Sequence, residues 1–293
     1  MANSITVTGI ACCLSVVALK PAVVAGVGAG QFTSGVNLVE VYASVTDGQG
    51  TPVTGLKQAD FELRENGELQ AIANFTAGDF PLSVAVAIDR SFSVAGAKLT
   101  TAKAAAETFL AELRPKDEAM IIAVGSQVEV VAPLSIDRSS QREAIARLDA
   151  FGTTGLHDAI IEAIDAVQAS KGRRALIVLS DGDDRYSRAS AADVLDRARR
   201  SDVMVFPISI GRVRPPFFAE LATLTGGRVS HATPGSTLTD IMRAIARELR
   251  WQYLLGYTPT KPPVPGSNEW RSISVTVKKP DVKVRARDGY LIR

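Results

Sequence analysis

Three short stretches of this sequence carry oxygen-bearing side chains at spacings that suit a hard cation. The first is Asp89-Arg90-Ser91-Phe92-Ser93, with a donor at every second position. The second is the glycine-flanked loop Gly152-Thr153-Thr154-Gly155-Leu156-His157-Asp158, and the third is Ser180-Asp181-Gly182-Asp183-Asp184. Asp and Ser ahead of a helix also accept backbone N–H groups as caps, so the first stretch alone reads equally as a helix start. Taken together, Asp89, Ser91, Ser93, Thr154 and Asp181 offer two carboxylates and three hydroxyls, without sulfur or an obligatory imidazole. Such a set suits Mg²⁺, with Mn²⁺ or Ca²⁺ as alternatives, and does not suit zinc or copper. An ion with so few charged ligands stays electron-poor, and a carboxylate from another molecule would complete its shell.

The elements expected around these stretches put them at one edge. Leu82 to Ile88, Ala119 to Val124, Ala175 to Leu179 and Val203 to Ile208 are nearly continuous apolar runs, the pattern of strands buried on both faces of a parallel sheet. Between them, apolar residues recur at helical spacing: Leu99, Ala102, Ala106, Phe109, Leu110 and Leu113; Leu156, Ala159, Ile160, Ala163, Ile164 and Val167; and later Leu238, Ile241, Met242, Ile245 and Leu249. Alternating strands and amphipathic helices imply a doubly wound, mostly parallel α/β sheet. Its ligands bind beyond the carboxyl ends of the strands, where Asp89 and Asp181 fall.

The motifs Asp-x-Ser-x-Ser, Thr-x-Leu-x-Asp-Ala and a hydrophobic strand ending in Ser-Asp-Gly resemble, in order, those of the von Willebrand factor A domain with its metal-ion-dependent adhesion site. The resemblance covers about Phe80 to Arg250. It implies that Asp89, Ser91 and Ser93 belong to the first motif, Thr154 to the second and Asp181 to the third. It further implies that an Asp or Glu of a protein ligand completes the metal shell. The flanks, through Val39-Glu40-Val41, Pro52-Val53-Thr54-Gly55-Leu56, Leu255-Gly256-Tyr257-Thr258-Pro259 and Val284 to Tyr290, resemble a bacterial family of secreted von Willebrand factor A related proteins.

Both flanks read as strands and turns, and neither has enough of them to close a sandwich alone. The expected organisation is therefore an α/β domain at 80–250 inserted into a small β-sandwich made from 31–79 and 251–293. Residues 1–30 carry one charge, Lys20, and an apolar run from Ile5 to Leu19 that reads as an export signal, with an uncleaved anchor or a misread start as alternatives. Both cysteines, Cys12 and Cys13, lie within it, so cleavage would leave neither disulfide nor thiolate. The expected location is exported: secreted, periplasmic or on the cell surface, with no other segment suited to span a membrane.

Composition limits the partners. A chain of 293 residues with 46% hydrophobic and 22% charged residues folds as an ordinary globular protein, and its net charge of +2 argues against nucleic acid. The eight basic residues against three acidic from Lys261 to Arg293 are expected to lie mainly on one solvated strand face, Lys283, Arg285 and Arg287. Asp183 and Asp184 read as a solvated acidic loop, His157 as a surface or capping residue, and Asp158 as either a brace for the Thr154 loop or a helix-start carboxylate. Of Phe217 and Phe218, at least one is expected to be buried. No enzyme is expected: a metal-assisted phosphohydrolase built on Asp89 would want a second acid two positions on, and Ser91 stands there. A structural subunit of an envelope or surface assembly is the main alternative to an adhesion-type module.

Overall fold

The computed structural model of the chain describes Met1 and residues 38–78, 80–211, 214–232, 237–262, 264 and 266–292. From residue 38 onward these belong to one compact unit, Val36–Arg293. The expected export segment lies outside the described residues apart from Met1, as do 31–37.

The four apolar runs form the centre of a six-stranded sheet. β5 (Leu82–Asp89), β6 (Glu118–Val124), β8 (Arg173–Ser180) and β9 (Val203–Ser209) are mutually parallel. β7 (Val128–Ser135) adds antiparallel at one edge and the two-residue β10 (Ser230–His231) at the other, giving the order β10-β9-β8-β5-β6-β7. β5 is buried at every position, and its alternation serves two cores. Val84, Val86 and Ile88 pack with α1 (Ala97–Glu112), α2 (Arg138–Ala146) and α6 (Leu238–Arg250). Ala85 and Ala87 pack with α3 (Leu156–Gln168), α4 (Ala191–Arg199) and α5 (Pro216–Thr225). The apolar stripes read from the sequence on α1, α3 and α6 are the buried faces, with Leu113 half-buried just past the end of α1. Phe218 is fully buried and Phe217 half-buried, as expected of that pair.

The remaining strands form two four-stranded antiparallel sheets. One has the order β13-β1-β11-β4, from β13 (Val282–Arg285), β1 (Val39–Asp47), β11 (Gln252–Tyr257) and β4 (Ile72–Ala77). In it every neighbouring pair joins an N-terminal strand to a C-terminal one. The other sheet has the order β14-β12-β2-β3, from β14 (Gly289–Leu291), β12 (Trp270–Val277), β2 (Phe61–Glu65) and β3 (Glu68–Gln70). Both contribute to one core that includes Val41, Val45, Phe61, Leu63, Tyr253, Leu255 and Ile273. The sandwich thus exists only when the two ends of the described chain pair, and the α/β domain is inserted between them.

Glu65 is the polar centre of this sandwich. It is buried and accepts from the hydroxyls of Tyr257 (2.7 Å) and Tyr290 (2.8 Å) and from Arg271 Nη1 (2.9 Å). The two C-terminal motifs therefore meet on one carboxylate. The expected solvated basic face is corrected here. Lys283 is exposed, but Arg285 reaches Glu248 of α6, and Arg287 donates to the carbonyls of Ser201 and Gly289. Arg285 and Arg287 lie against the α/β domain, which supplies Glu248 and Ser201 O as their partners.

Candidate metal centre

Asp89 ends β5, and Asp181 directly follows β8, the strand beside it. β5 has its successor β6 on one side and the later β8 on the other, so the chain changes direction across the sheet between the two carboxylates. This is the topological switch point at which open α/β sheets form a crevice. The parallel register pairs Ile88 with Leu179 and so sets Asp89 beside Ser180. Ser180 Oγ donates to Asp89 Oδ2 (2.7 Å), and Ser91 N donates to Asp89 Oδ1 (2.9 Å). Gly182 N in turn donates to Ser180 Oγ (3.0 Å), which ties the Asp181 loop to the same carboxylate.

Helix capping does not account for the first motif. α1 begins after Gly96 with no side-chain cap, and the one-turn 3-10 helix Phe92–Val94 begins after Ser91, again without one. Ser91 Oγ instead lies 3.0 Å from Ser93 Oγ. Asp89, Ser91, Thr154 and Asp181 are 0%, 1%, 3% and 8% exposed, while Ser93 is at the surface.

Backbone bonds lace the three loops together. Phe92 N donates to Gly152 O and Phe151 N to Arg90 O, joining the first motif to the Thr154 loop. Arg185 N and Tyr186 N both donate to Thr154 O, joining that loop to the segment after Asp181. Two glycines make the approach feasible. Gly152 has φ of +73° and a Cβ there would lie 2.4 Å from Ser126 Oγ; Gly182 has φ of +81° and a Cβ there would lie 2.0 Å from Pro215 Cγ. A side chain at either would clash as well as strain the backbone.

Two acidic residues beside the site are supports. Asp184 is not a solvated acid: its Oδ1 accepts from Leu156 N (2.6 Å) and Ser187 Oγ (2.6 Å), and Oδ2 lies 3.4 Å from His157 Nδ1. It caps α3 from a distant loop, where the unfilled helix N–H groups favour an anion. Asp158 stands in the first turn of α3, one of its two expected roles, and also braces the segment after Asp181, accepting from Arg188 N and Ala189 N at 3.0 Å each. His157 is half-buried, with Nδ1 3.1 Å from Ala189 O and its ring edge-on to Phe217.

Burial raises the pKa of Asp89; hydrogen bonds from Ser91 and Ser180 oppose this, and the charge of Asp181 adds to it. The described partners of the Asp89 carboxylate are all uncharged. Lys98 Nζ lies 3.6 Å from Asp181 Oδ2 and donates to Ser93 O (2.9 Å). No group of three or more His, Cys, Asp or Glu gathers in a ligand-like cluster among the described residues. Two carboxylates amid hydroxyls, one of them buried with no cation among its described partners, fit an oxygen-seeking ion and not a soft one. Sequence reading did not assign Ser180, Asp184 or Lys98 a part here. Only Ser180 had a signal, its place in Ser-Asp-Gly.

Residues 84–183 match the von Willebrand factor type A domain. The chain carries a domain of that family. The von Willebrand factor type A protein of Catenulispora acidiphila superposes with a TM-score of 0.51 at 14% identity, over 87% of this chain and 72% of its own. That likeness shows the fold, with the von Willebrand factor A sheet and its flanks both within reach of the alignment. An aerotolerance-related membrane protein of Bacteroides fragilis gives a TM-score of 0.49 at 16% identity, over 58% of this chain and 98% of its own. The PilB minor pilin of Streptococcus sanguinis gives 0.49 at 12%, over 59% and 63%. No curated protein matches the chain.

Proposed function

We propose that this protein is an exported binding module of adhesion type that grips an Asp or Glu carboxylate of a protein partner through a divalent cation, Mg²⁺ foremost. The observation that carries this reading is Asp89: a fully buried carboxylate beside a second one, with hydroxyl and N–H partners but no described cation. Buried charge is stable when an opposite charge meets it. Asp89, Ser91, Ser93, Thr154 and Asp181 would hold the ion, which supplies an electron-poor centre for an incoming carboxylate. The residues themselves position the donors and keep water from Asp89.

The surroundings suit a docking face. A cleft of about 870 Å³ opens beside the Thr154 loop, lined in part by Phe151, Gly155 and Tyr186. Phe92, Phe151 and Tyr186 are all exposed. Export rests on the apolar segment Ile5 to Leu19; among the described residues no helix is long and apolar enough to cross a membrane. A role within an envelope or surface assembly is compatible with the same grip.

Calorimetric titration of Mg²⁺ into the chain tests the ion: saturable binding is expected, and it is lost in Asp89→Ala. Capture from envelope extract with and without chelator, using wild type and Thr154→Ala, tests the grip. Equal Mg²⁺ binding by Asp89→Ala would sink the metal site. A partner retained in chelator and by Thr154→Ala would instead support an assembly contact made elsewhere.

A further inference from the structure

A second concentration of charge shares no residue with the metal centre and lies where α5 and α6 meet the sandwich. Glu248 of α6 is 4% exposed, and two guanidinium groups converge on its Oε2, Arg285 Nη2 at 2.6 Å and Arg228 Nε at 3.4 Å. Neither contact has hydrogen-bond geometry. Among the described residues, Arg228 Nε, Arg285 Nε and Nη2, and Glu248 Oε1 are all buried without a hydrogen-bond partner. Two cations on one carboxylate leave a net positive charge, on side chains that are 34% (Arg228) and 26% (Arg285) exposed and so open to a ligand from solvent. Burial lowers the pKa of Arg228, Glu248 opposes this, and Arg285 adds to it.

Both arginines line a cleft of about 390 Å³. Its other walls include the aliphatic side chains Val229, Ile273, Val275 and Val284. Arg287 and Asp288 line it too, but their charges are engaged. Arg287 donates to Gly289 O and Ser201 O and lies over the Tyr290 ring, while Asp288 is faced by Arg199 and Arg287. The net positive charge of the cleft wall therefore comes from Arg228 and Arg285 against Glu248, and it matches one anion.

We propose that this cleft binds an amphiphilic carboxylate, with its carboxylate on Arg228 and Arg285 and its aliphatic chain along Val229, Ile273, Val275 and Val284. The planar guanidinium matches a carboxylate in a two-bond fork, and the volume falls in the range of small-molecule sites, about 300–1,000 Å³. The aliphatic walls favour a chain over a bare inorganic anion. Because α5 and the sandwich strands both contribute walls, an occupant also ties the inserted domain to its frame.

Octanoate is the probe, titrated into the full chain by calorimetry and by thermal melting. Saturable binding with a raised melting temperature is expected. Octanol, which lacks the charge, and inorganic phosphate, which lacks the chain, are expected to leave the melt unmoved. Arg285→Gln leaves Glu248 balanced by Arg228, so a cooperative melt should persist while octanoate affinity falls roughly tenfold to hundredfold. Thr223→Trp, at an exposed position lining the cleft, should weaken octanoate by obstruction. Absent saturation, phosphate binding equal to octanoate, or unchanged affinity in folded Arg285→Gln would each overturn the proposal.

Discussion

Asp89→Asn separates a carboxylate kept for an ion from one kept for the fold. In the chelated protein Asp89 is buried, its pKa raised first by that burial and further by Asp181. Its charge is therefore a liability without a cation. Asparagine has nearly the same shape, and its carbonyl can still accept from Ser91 N while its amide donates to Ser180 Oγ, an oxygen with two lone pairs. In chelator the variant should melt at or above wild type. With Mg²⁺ at about 100 times its dissociation constant, wild type should gain about 2.7 kcal/mol by mass action. At about 2–4 °C per kcal/mol for a chain of this size, that is a rise of roughly 5–11 °C. The variant, with one carboxylate left in the set, should not follow. The assay is thermal melting in chelator and along a Mg²⁺ titration, with a monovalent salt at matched ionic strength as control. An equal Mg²⁺-induced rise in the variant would refute the reasoning. So would a loss in chelator of more than about 2 kcal/mol, a value typical of a structural group.

Three further outcomes are expected. Gly182→Ala should destabilise by about 1–3 kcal/mol and weaken Mg²⁺ binding, because its left-handed backbone and the Pro215 ring leave no place for a Cβ; unchanged urea unfolding would count against it. Glu65→Leu should cost about 3–5 kcal/mol by leaving the buried Arg271 with only the exposed Glu269 as an ion partner, and pairing it with Arg271→Met should restore much of that loss in denaturant unfolding. The same node predicts alkaline lability. The pKa of Tyr290 is pushed up to about 12, by burial first and then by its bond to Glu65, and that of Tyr257 is raised for the same reasons. A tyrosine that holds its proton more tightly when folded contributes stability below its unfolded pKa of about 10 that is lost as pH rises through the folded value. Stability should thus fall between about pH 10 and 12, less steeply in Tyr290→Phe.

The sequence by itself determined the local elements that matter most. Continuous apolar runs specify the four central strands, because a strand covered on both faces has no polar side to show. Helical periodicity specifies the buried stripes of α1, α3 and α6 for the same reason. The placing of Asp89 and Asp181 at strand ends was legible because each closes an apolar run, while Thr154 stands in the loop before α3. What only the tertiary structure decided depends on chain segments far apart meeting in one register. The pairing of Ile88 with Leu179 brings Ser180 onto Asp89. Asp184 looks like a solvated acid until α3 presents its N–H groups across 28 residues. Arg285 and Arg287 alternate like a wet strand face until the α/β domain covers them. Charged side chains take their roles from whatever the fold sets against them, and no local pattern records that.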